Sequence, residues 1–397
     1  MFPSAARPTA SRLTLPAQNH RMKISPETRS RCAERLTAAA SKVPHLTAFV
    51  GLDGFVDDIL HVVDKRESAE KYSRLARMAD WGDRIRAAAG RSTNIELVSQ
   101  MTKLGGNGPI MANALASLGV KVTYLGLLGY PNLHPVFAEF ATRAEVHSIA
   151  EPGYTDAVEF EDGKVMVGKH QSLKQMTWKN IKERFGLESF HRHLSQADFI
   201  GFVNWTMLPY MTEVWEAVQS ELCPKLDGAP RRRLFVDLAD PEKRLPADVV
   251  RAVERVAAFG RWFDVILGLN EKEAHEVAKA FGIDHPASTP DELMALAREL
   301  HQRVPVQTLV VHPVRYALAI SASGESLTGG PVSPQPLITT GAGDHFNSGF
   351  CLGKLLGLDD LDALLTGVTT SGFYVRTARS PGVPDLVRLL HDSSVEY

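Results

Sequence analysis

The chain has 397 residues, 44% hydrophobic and 23% charged, with 44 basic against 46 acidic side chains and a formal net charge of −2. This length suits two domains, or one large domain with an accessory piece, and the balanced charge gives no electrostatic reason to expect nucleic acid or an anionic membrane as partner. Three cysteines, Cys32, Cys223 and Cys351, fit neither a disulfide framework nor a zinc spacing, so a reducing cytoplasm is the default location, and no apolar run approaches the ~18 residues of a membrane-spanning helix.

Residues 1–25 hold Arg7, Arg12, Arg21 and Lys23 but no acid, and Pro3, Pro8 and Pro16 interrupt any helix. The charge bias is transit-like, but an amphipathic period is missing, so a disordered tail is expected. From residue 45 onward, short apolar runs alternate with longer helical patterns. Strands are predicted at 46–52, 120–129, 198–203, 233–238, 263–269 and 307–312, and helices at 109–119, 208–223, 247–258, 271–281 and 290–303. Such alternation means an α/β fold, a mostly parallel sheet with helices on both faces, whose ligands lie beyond the carboxyl ends of the strands.

Two stretches break this rhythm. "VDDILHVV" (56–63) and "DAVEFEDGKVMVGKH" (156–170) alternate as amphipathic strands, the second turning at "EDGK". They are expected to form a small β-sheet lid over the crevice, since an isolated hairpin is not stable alone. The charged insert 64–94 has a helical period. The predicted division is a large domain of 26–57, 105–154 and 171–397, with lid strands and insert in 58–104 and 155–170.

The segment with the most chemistry is "TTGAGDHFNSGF" (339–350). Backbone amides of a Gly-rich turn ahead of a helix form an anion hole, and Gly341, Ala342 and Gly343 have that character. Asp344 then places a carboxylate beside a site built for phosphate. Two readings stand: a general base that takes a hydroxyl proton during phosphoryl transfer, or a plain cap on a helix 345–356. "GLNEKEA" (268–274) sets Asn270 and Glu273 three residues apart, which suits either a holder of metal-bound water or a capping box. "KLGGNGPIMANALASLG" (103–119) leads a Gly-Gly turn into a helix, and "VGLDGFVDDI" (50–59) leaves Asp53, Asp57 and Asp58 at the end of the first strand, where a polyol's hydroxyls need acceptors.

In this order the four stretches resemble the ribokinase-like (PfkB) family of carbohydrate kinases, a likeness that covers about residues 46–390 and includes the closing "RSPGVPDL" (379–386). The resemblance implies a ribokinase-like fold and ATP with Mg²⁺ as donor system. It implies Asp344 as general base and Gly341, Ala342 and Gly343 as anion hole. Asn270, Glu273 and Thr340 would organise phosphate and Mg²⁺, Glu273 through water. Gly105, Gly106 and Asn107 would lie on the substrate side. Asp57, with Asp53 as runner-up, would grip substrate hydroxyls. The sequence departs from the family pattern at Ile338, His345, Ile110 and His312, mostly on the substrate and nucleotide sides.

The function expected is ATP-dependent phosphorylation of a hydroxyl on a sugar or small polyol held under the lid, with Lys169 or His170 as further contacts. Neither nucleic acid nor membrane is expected as partner, and a monomer or homodimer is. The alternatives are a nucleoside kinase of the same fold, with Phe55, Trp205 and Tyr210 as aromatic candidates, or a sugar- and nucleotide-binding regulator without turnover. A dinucleotide-binding oxidoreductase or a P-loop ATPase lacks its glycine signature here.

Overall fold

The computed structural model describes residues 23–226 and 232–397. The expected N-terminal tail therefore falls outside the described residues, apart from 23–25. Helix α1 (Pro26–Ala39) is capped by Ser25, whose hydroxyl accepts from the Thr28 amide. Strand β1 (Thr47–Gly51) and the long strand β2 (Phe55–Arg66) follow, then β3 (Tyr72–Arg74), α2 (Met78–Ala87) and β4 (Leu97–Gly105). Next come α3 (Asn107–Leu118), β5 (Lys121–Gly126), β6 (Glu145–Ser148), β7 (Gly153–Phe160) and β8 (Gly163–Lys169). Helices α4 (Trp178–Arg184) and α5 (Leu187–Gln196) lead to β9 (Phe199–Phe202), α6 (Met211–Ala217) and β10 (Arg232–Asp237). The chain continues through α7 (Pro246–Ala258), β11 (Phe263–Leu269), α8 (Glu271–Ala280), α9 (Pro290–Arg303) and β12 (Thr308–Val311). It closes with β13 (Tyr316–Ser321), β14 (Gly324–Gly329), α10 (Ala342–Leu355), α11 (Asp360–Thr377) and α12 (Val383–His391).

Among the described residues, nine strands form the main sheet in the order β14-β13-β12-β11-β10-β9-β1-β5-β6. The run from β6 to β12 is parallel, and β13 and β14 append antiparallel. Its central strands are apolar throughout because both faces are covered. Alternation sorts their side chains. Phe49, Val265, Leu267 and Leu269 enter a core shared with Leu194, Trp215, Val253, Val277 and Leu300 of α5–α9. Val50 and Ile266 point the other way, into a core with Leu36, Leu115, Phe350, Leu364 and Leu386 of α1, α3, α10, α11 and α12.

A second, five-stranded sheet is built on β2, which pairs with β3, β4 and β7, while β8 pairs with β7. It has its own core of Leu60, Val62, Leu75, Val158 and Phe160, closed by Trp81, Ile95 and Val165. Here the sequence expectation needs correction. The insert 64–94 is helical only over α2, because β2 runs on to Arg66 and the chain returns as β3, which brings Leu75 over Leu60 and Val62. Strand β4 escaped prediction because it is largely exposed and carries polar residues on both faces, so no alternation marks it. The expected helix 208–223 is α over Met211–Ala217 and continues as a π turn to Leu222.

Candidate active site

The parallel strands end at one edge of the main sheet, and five of them deliver a polar residue there. Asp53 follows β1, Asn204 follows β9, Asp237 ends β10, Asn270 follows β11 and His312 follows β12. The turn before α10 lies over this edge. Its conformation depends on Gly341, which adopts a left-handed backbone (φ 91°) that side-chain-bearing residues seldom take. A Cβ on Gly341 would also press on Ile110 at 3.2 Å, so the isoleucine in the Gly-Gly segment buttresses the turn. From behind, Tyr374 donates its hydroxyl hydrogen to the Thr340 carbonyl (2.9 Å). The His345 ring stacks on Tyr374 with centroids 3.6 Å apart, its Nδ1 lying 2.7 Å from the Gly341 carbonyl and its Nε2 2.9 Å from the Ser380 hydroxyl. Burial pushes this imidazole down to about 4, so it stays neutral and braces the turn.

Helix α10 starts at Ala342 with Gly341 in the cap position. Asp344 is therefore inside the first turn, and the cap reading, with a helix starting at 345, does not describe this structure. Its carboxylate, 7% exposed, accepts from Asn107 Nδ2 at 3.1 Å, which joins the two Gly-rich segments across 237 residues of chain. Burial raises its pKa to about 8. The Asn107 bond works against that rise, and the charges of Asp53 and Glu273 add to it. A carboxyl raised toward neutrality has a pKa suited to taking up and releasing a proton near physiological pH.

The other predicted residues distribute as follows. Asn270 and Glu273 form the complete capping box of α8: Asn270 Oδ1 accepts from the Glu273 amide (2.9 Å) and Glu273 Oε2 from the Asn270 amide (2.8 Å). Glu273 Oε1 also accepts from the Asp240 amide (3.0 Å), so both its oxygens are engaged. Asp53 is fully buried and held by protein groups: the Gly108 amide (2.9 Å), Tyr124 Oη (3.2 Å) and Asn204 Nδ2 (2.6 Å). Its pKa rises to about 6 through burial, opposed by those bonds. Asp57 lies on β2 beside Lys103 of β4 and Thr155 of β7, its pKa raised by burial and lowered by Lys103. Gly105 is what lets it fit, since a Cβ there would meet Asp57 Cγ at 2.3 Å. Gly106, with φ 94°, starts α3. Thr340 touches the site through Lys164, whose ammonium contacts its hydroxyl. Lys169 does not come to the crevice unpaired; it bridges to Asp156 at 2.9 Å. His170 meets the Phe55 ring edge-on at 5.5 Å.

Sequence reasoning missed Asp237, Asn204, Asn347 and Lys164. Asp237 Oδ2 accepts from Asn347 Nδ2 (3.0 Å), yet its Oδ1 is buried with no partner among the described residues. Burial, Glu273 and Asp344 together hold its pKa well above the usual carboxylate range. An acid ending a buried strand at the binding edge was a signal present in "RLFVDL" (233–238). Buried carboxylates crowded this way, one oxygen unsatisfied, suit a hard divalent cation such as Mg²⁺. Asp237 and Glu273 are the residues that would face it.

From the Gly341–Gly343 turn a cavity of about 730 Å³ runs outward along α10 and α11, lined by Asn270, His312, Gly343, Phe346 and Tyr397. It has the size of a small-molecule site. His312 packs on Phe346 (centroids 4.7 Å apart), and its buried Nε2 has no partner among the described residues. Burial holds its pKa down at about 4.

The chain is similar to known proteins over nearly all of its length. The family model described as prokaryotic ketohexokinase matches residues 25–393. A ketohexokinase of Haloferax volcanii is 29% identical over 349 residues, 87% of this chain and 91% of that protein. Among solved structures, Arabidopsis thaliana ribokinase complexed with ribose and ATP superposes with a TM-score of 0.60 at 15% identity, covering 88% of this chain and 99% of its own. Cryptococcus neoformans ribokinase in complex with ADP gives 0.59 at 15%, with 86% and 98% covered. A Methanocaldococcus jannaschii nucleoside kinase of the ribokinase family gives 0.54 at 13%, with 87% and 97% covered. At these identities the structures establish the ribokinase-like fold, and the extent of the family match does the rest: the chain belongs to the prokaryotic ketohexokinase family and is a carbohydrate kinase.

Proposed function

We propose that the protein transfers the γ-phosphoryl group of ATP to a primary hydroxyl of a ketohexose, D-fructose being the substrate to test first. The observation that carries this reading is the pairing of Asp344 with the Gly341–Gly343 turn. The carboxylate is buried, raised to about 8 and held by Asn107 rather than serving as a helix cap. The ketohexose assignment comes from the Haloferax volcanii relative and the family description.

In this mechanism the sugar lies between the two sheets, with Asp57 and the Gly105–Gly106 turn as its polar contacts and the small sheet as a lid that excludes water. ATP occupies the cavity beyond β12, its terminal phosphate at the amides of 341–343. Asp344 takes the proton of the attacking hydroxyl, and Asn107 fixes the orientation of the carboxylate for that transfer. The amides stabilise charge on the migrating group, a role that costs no reorganisation because Gly341, Ile110, Tyr374 and His345 have already set the turn. Mg²⁺ held by Asp237 and by Glu273 through water would neutralise phosphate charge.

Of the aromatic candidates, Trp205 weighs against a nucleoside acceptor. Trp205 is buried in the core with Nε1 bonded to Thr212 (2.8 Å), and so cannot clamp a base. Coupled ADP production with ketohexoses, aldohexoses, sugar phosphates and nucleosides tests the assignment. The highest kcat/KM is expected with a free ketohexose, and a nucleoside or a phosphorylated sugar in that place would overturn it.

A further inference from the structure

The small sheet sends one cation to the anion turn. Lys164 is on β8, just after the tight turn that joins β7 to β8, and its ammonium reaches across the crevice to the Thr340 hydroxyl, one residue before Gly341. It is half-buried, and desolvation disfavours its charge, as does neighbouring Lys103. Glu159 and Asp57 act on it through space, and no ion pair joins it to a carboxylate among the described residues. Lys169 on the same strand shows the contrast, since it is exposed and paired with Asp156. A desolvated ammonium is costly unless an anion offsets it, and a hydroxyl is a weak partner for a full positive charge. The direction in which Lys164 points is the place where the phosphoryl group would rest.

We propose that Lys164 is a catalytic residue of the lid, binding the transferring phosphoryl group opposite the 341–343 amides, with Thr340 holding its ammonium in place until the nucleotide arrives. This rests on the phosphotransfer reading above and deepens it: the cation completes the anion site only when the small sheet is closed. Closure is thereby favoured by the substrate's own charge, and the hydroxyl is not activated before the lid excludes water. The chemistry recognised is the terminal phosphate of a nucleoside triphosphate.

Lys164→Met keeps the stem and removes the charge. Its kcat with ATP and D-fructose should fall ~10²–10³-fold, the loss typical of one donor to a developing oxyanion, while Lys164→Arg should recover much of it. Affinity separates catalysis from lid support. With D-fructose present, ADP plus aluminium fluoride should bind wild type at least ~10-fold tighter than ADP alone, because it mimics the migrating group, and Lys164→Met should lose that margin while keeping its ADP affinity. Turnover within ~3-fold of wild type in the methionine variant would overturn the proposal, as would equal losses of ADP and ADP–aluminium fluoride affinity. If the methionine variant fails to fold, Lys164→Gln carries the same comparison. A wild-type protein that releases no ADP with any sugar would instead refute the parent reading, so the two failures are distinguishable.

Discussion

Asp344 is where sequence and chemistry meet most directly, and its environment sets two opposite demands. As the proposed general base its carboxyl must be deprotonated, yet burial and the charges of Asp53 and Glu273 raise its pKa to about 8. Turnover should therefore rise with pH, and the acid limb of kcat/KM, which reports the free enzyme, should centre near 8 at low Mg²⁺ and move down as Mg²⁺ is raised. A limb that does not respond to Mg²⁺ would mean that another group is titrating. Asp344→Asn should fold, bind nucleotide and lose at least ~100-fold in kcat. For stability the sign is reversed. Between the unfolded value near 4 and the folded value near 8, the native carboxyl keeps a proton that the unfolded chain has released, so wild type loses stability as pH rises through that window. The asparagine variant does not titrate there. Its melting temperature should match wild type near pH 4 and exceed it near pH 8, by up to ~5 kcal/mol in stability. Equal melting temperatures across the range would show that Asp344 is not desolvated in solution.

In the proposed reading, helix α8 serves packing and a site together. The spacing of Asn270 and Glu273 taken alone favours a capping box over a phosphate organiser, and the box is present with both of its bonds. Glu273→Gln should test the double role. An amide has one acceptor oxygen where the carboxylate has two, so one of the Asn270 and Asp240 amides loses its partner, at ~1–3 kcal/mol. Thermal denaturation should register that loss, and the Mg²⁺ concentration for half-maximal turnover should increase in parallel. A change in stability with an unchanged Mg²⁺ requirement would leave Glu273 as a cap alone. The same element explains what was legible in the sequence. The buried parallel strands could be read because alternation is replaced by continuous apolar runs, and the Gly-rich turns because few other residues permit such backbones. Strand β4 could not be read, since an exposed polar strand lacks a periodic signal. Asp237 carried a signal, an acid at the end of a buried apolar run, whereas Lys164 carried none. The significance of Lys164 lies in what faces it across the fold, Thr340, and no local pattern encodes that.

At the scale of the whole molecule, the two large cores belong mainly to the main sheet and its helices, whereas the small sheet's own core holds five buried side chains and a few half-buried ones among the described residues. A unit with so little apolar burial should open and reorder more readily than the rest of the chain. Trp81 of α2 is its cover, packed on Phe160 with ring centroids 5.6 Å apart. Removing the ring should cost ~1–3 kcal/mol, less than for a fully buried tryptophan, and that cost should be borne locally. In Trp81→Ala the main unfolding transition should therefore stay within ~2 °C of wild type, while amide exchange in β2, β7 and β8 accelerates. Substrates feel this unequally. The cavity proposed for the nucleotide is lined by the connection between β12 and β13, by α10 and α11 and by the chain's end, none of them in the small sheet, so ADP affinity should change less than ~2-fold. The proposed sugar contact Asp57 lies within that sheet, so the KM for D-fructose should rise ~5–30-fold, the factor that ~1–2 kcal/mol of lost order produces. Parallel losses of sugar and nucleotide affinity would mean instead that the two sheets respond as a single rigid body.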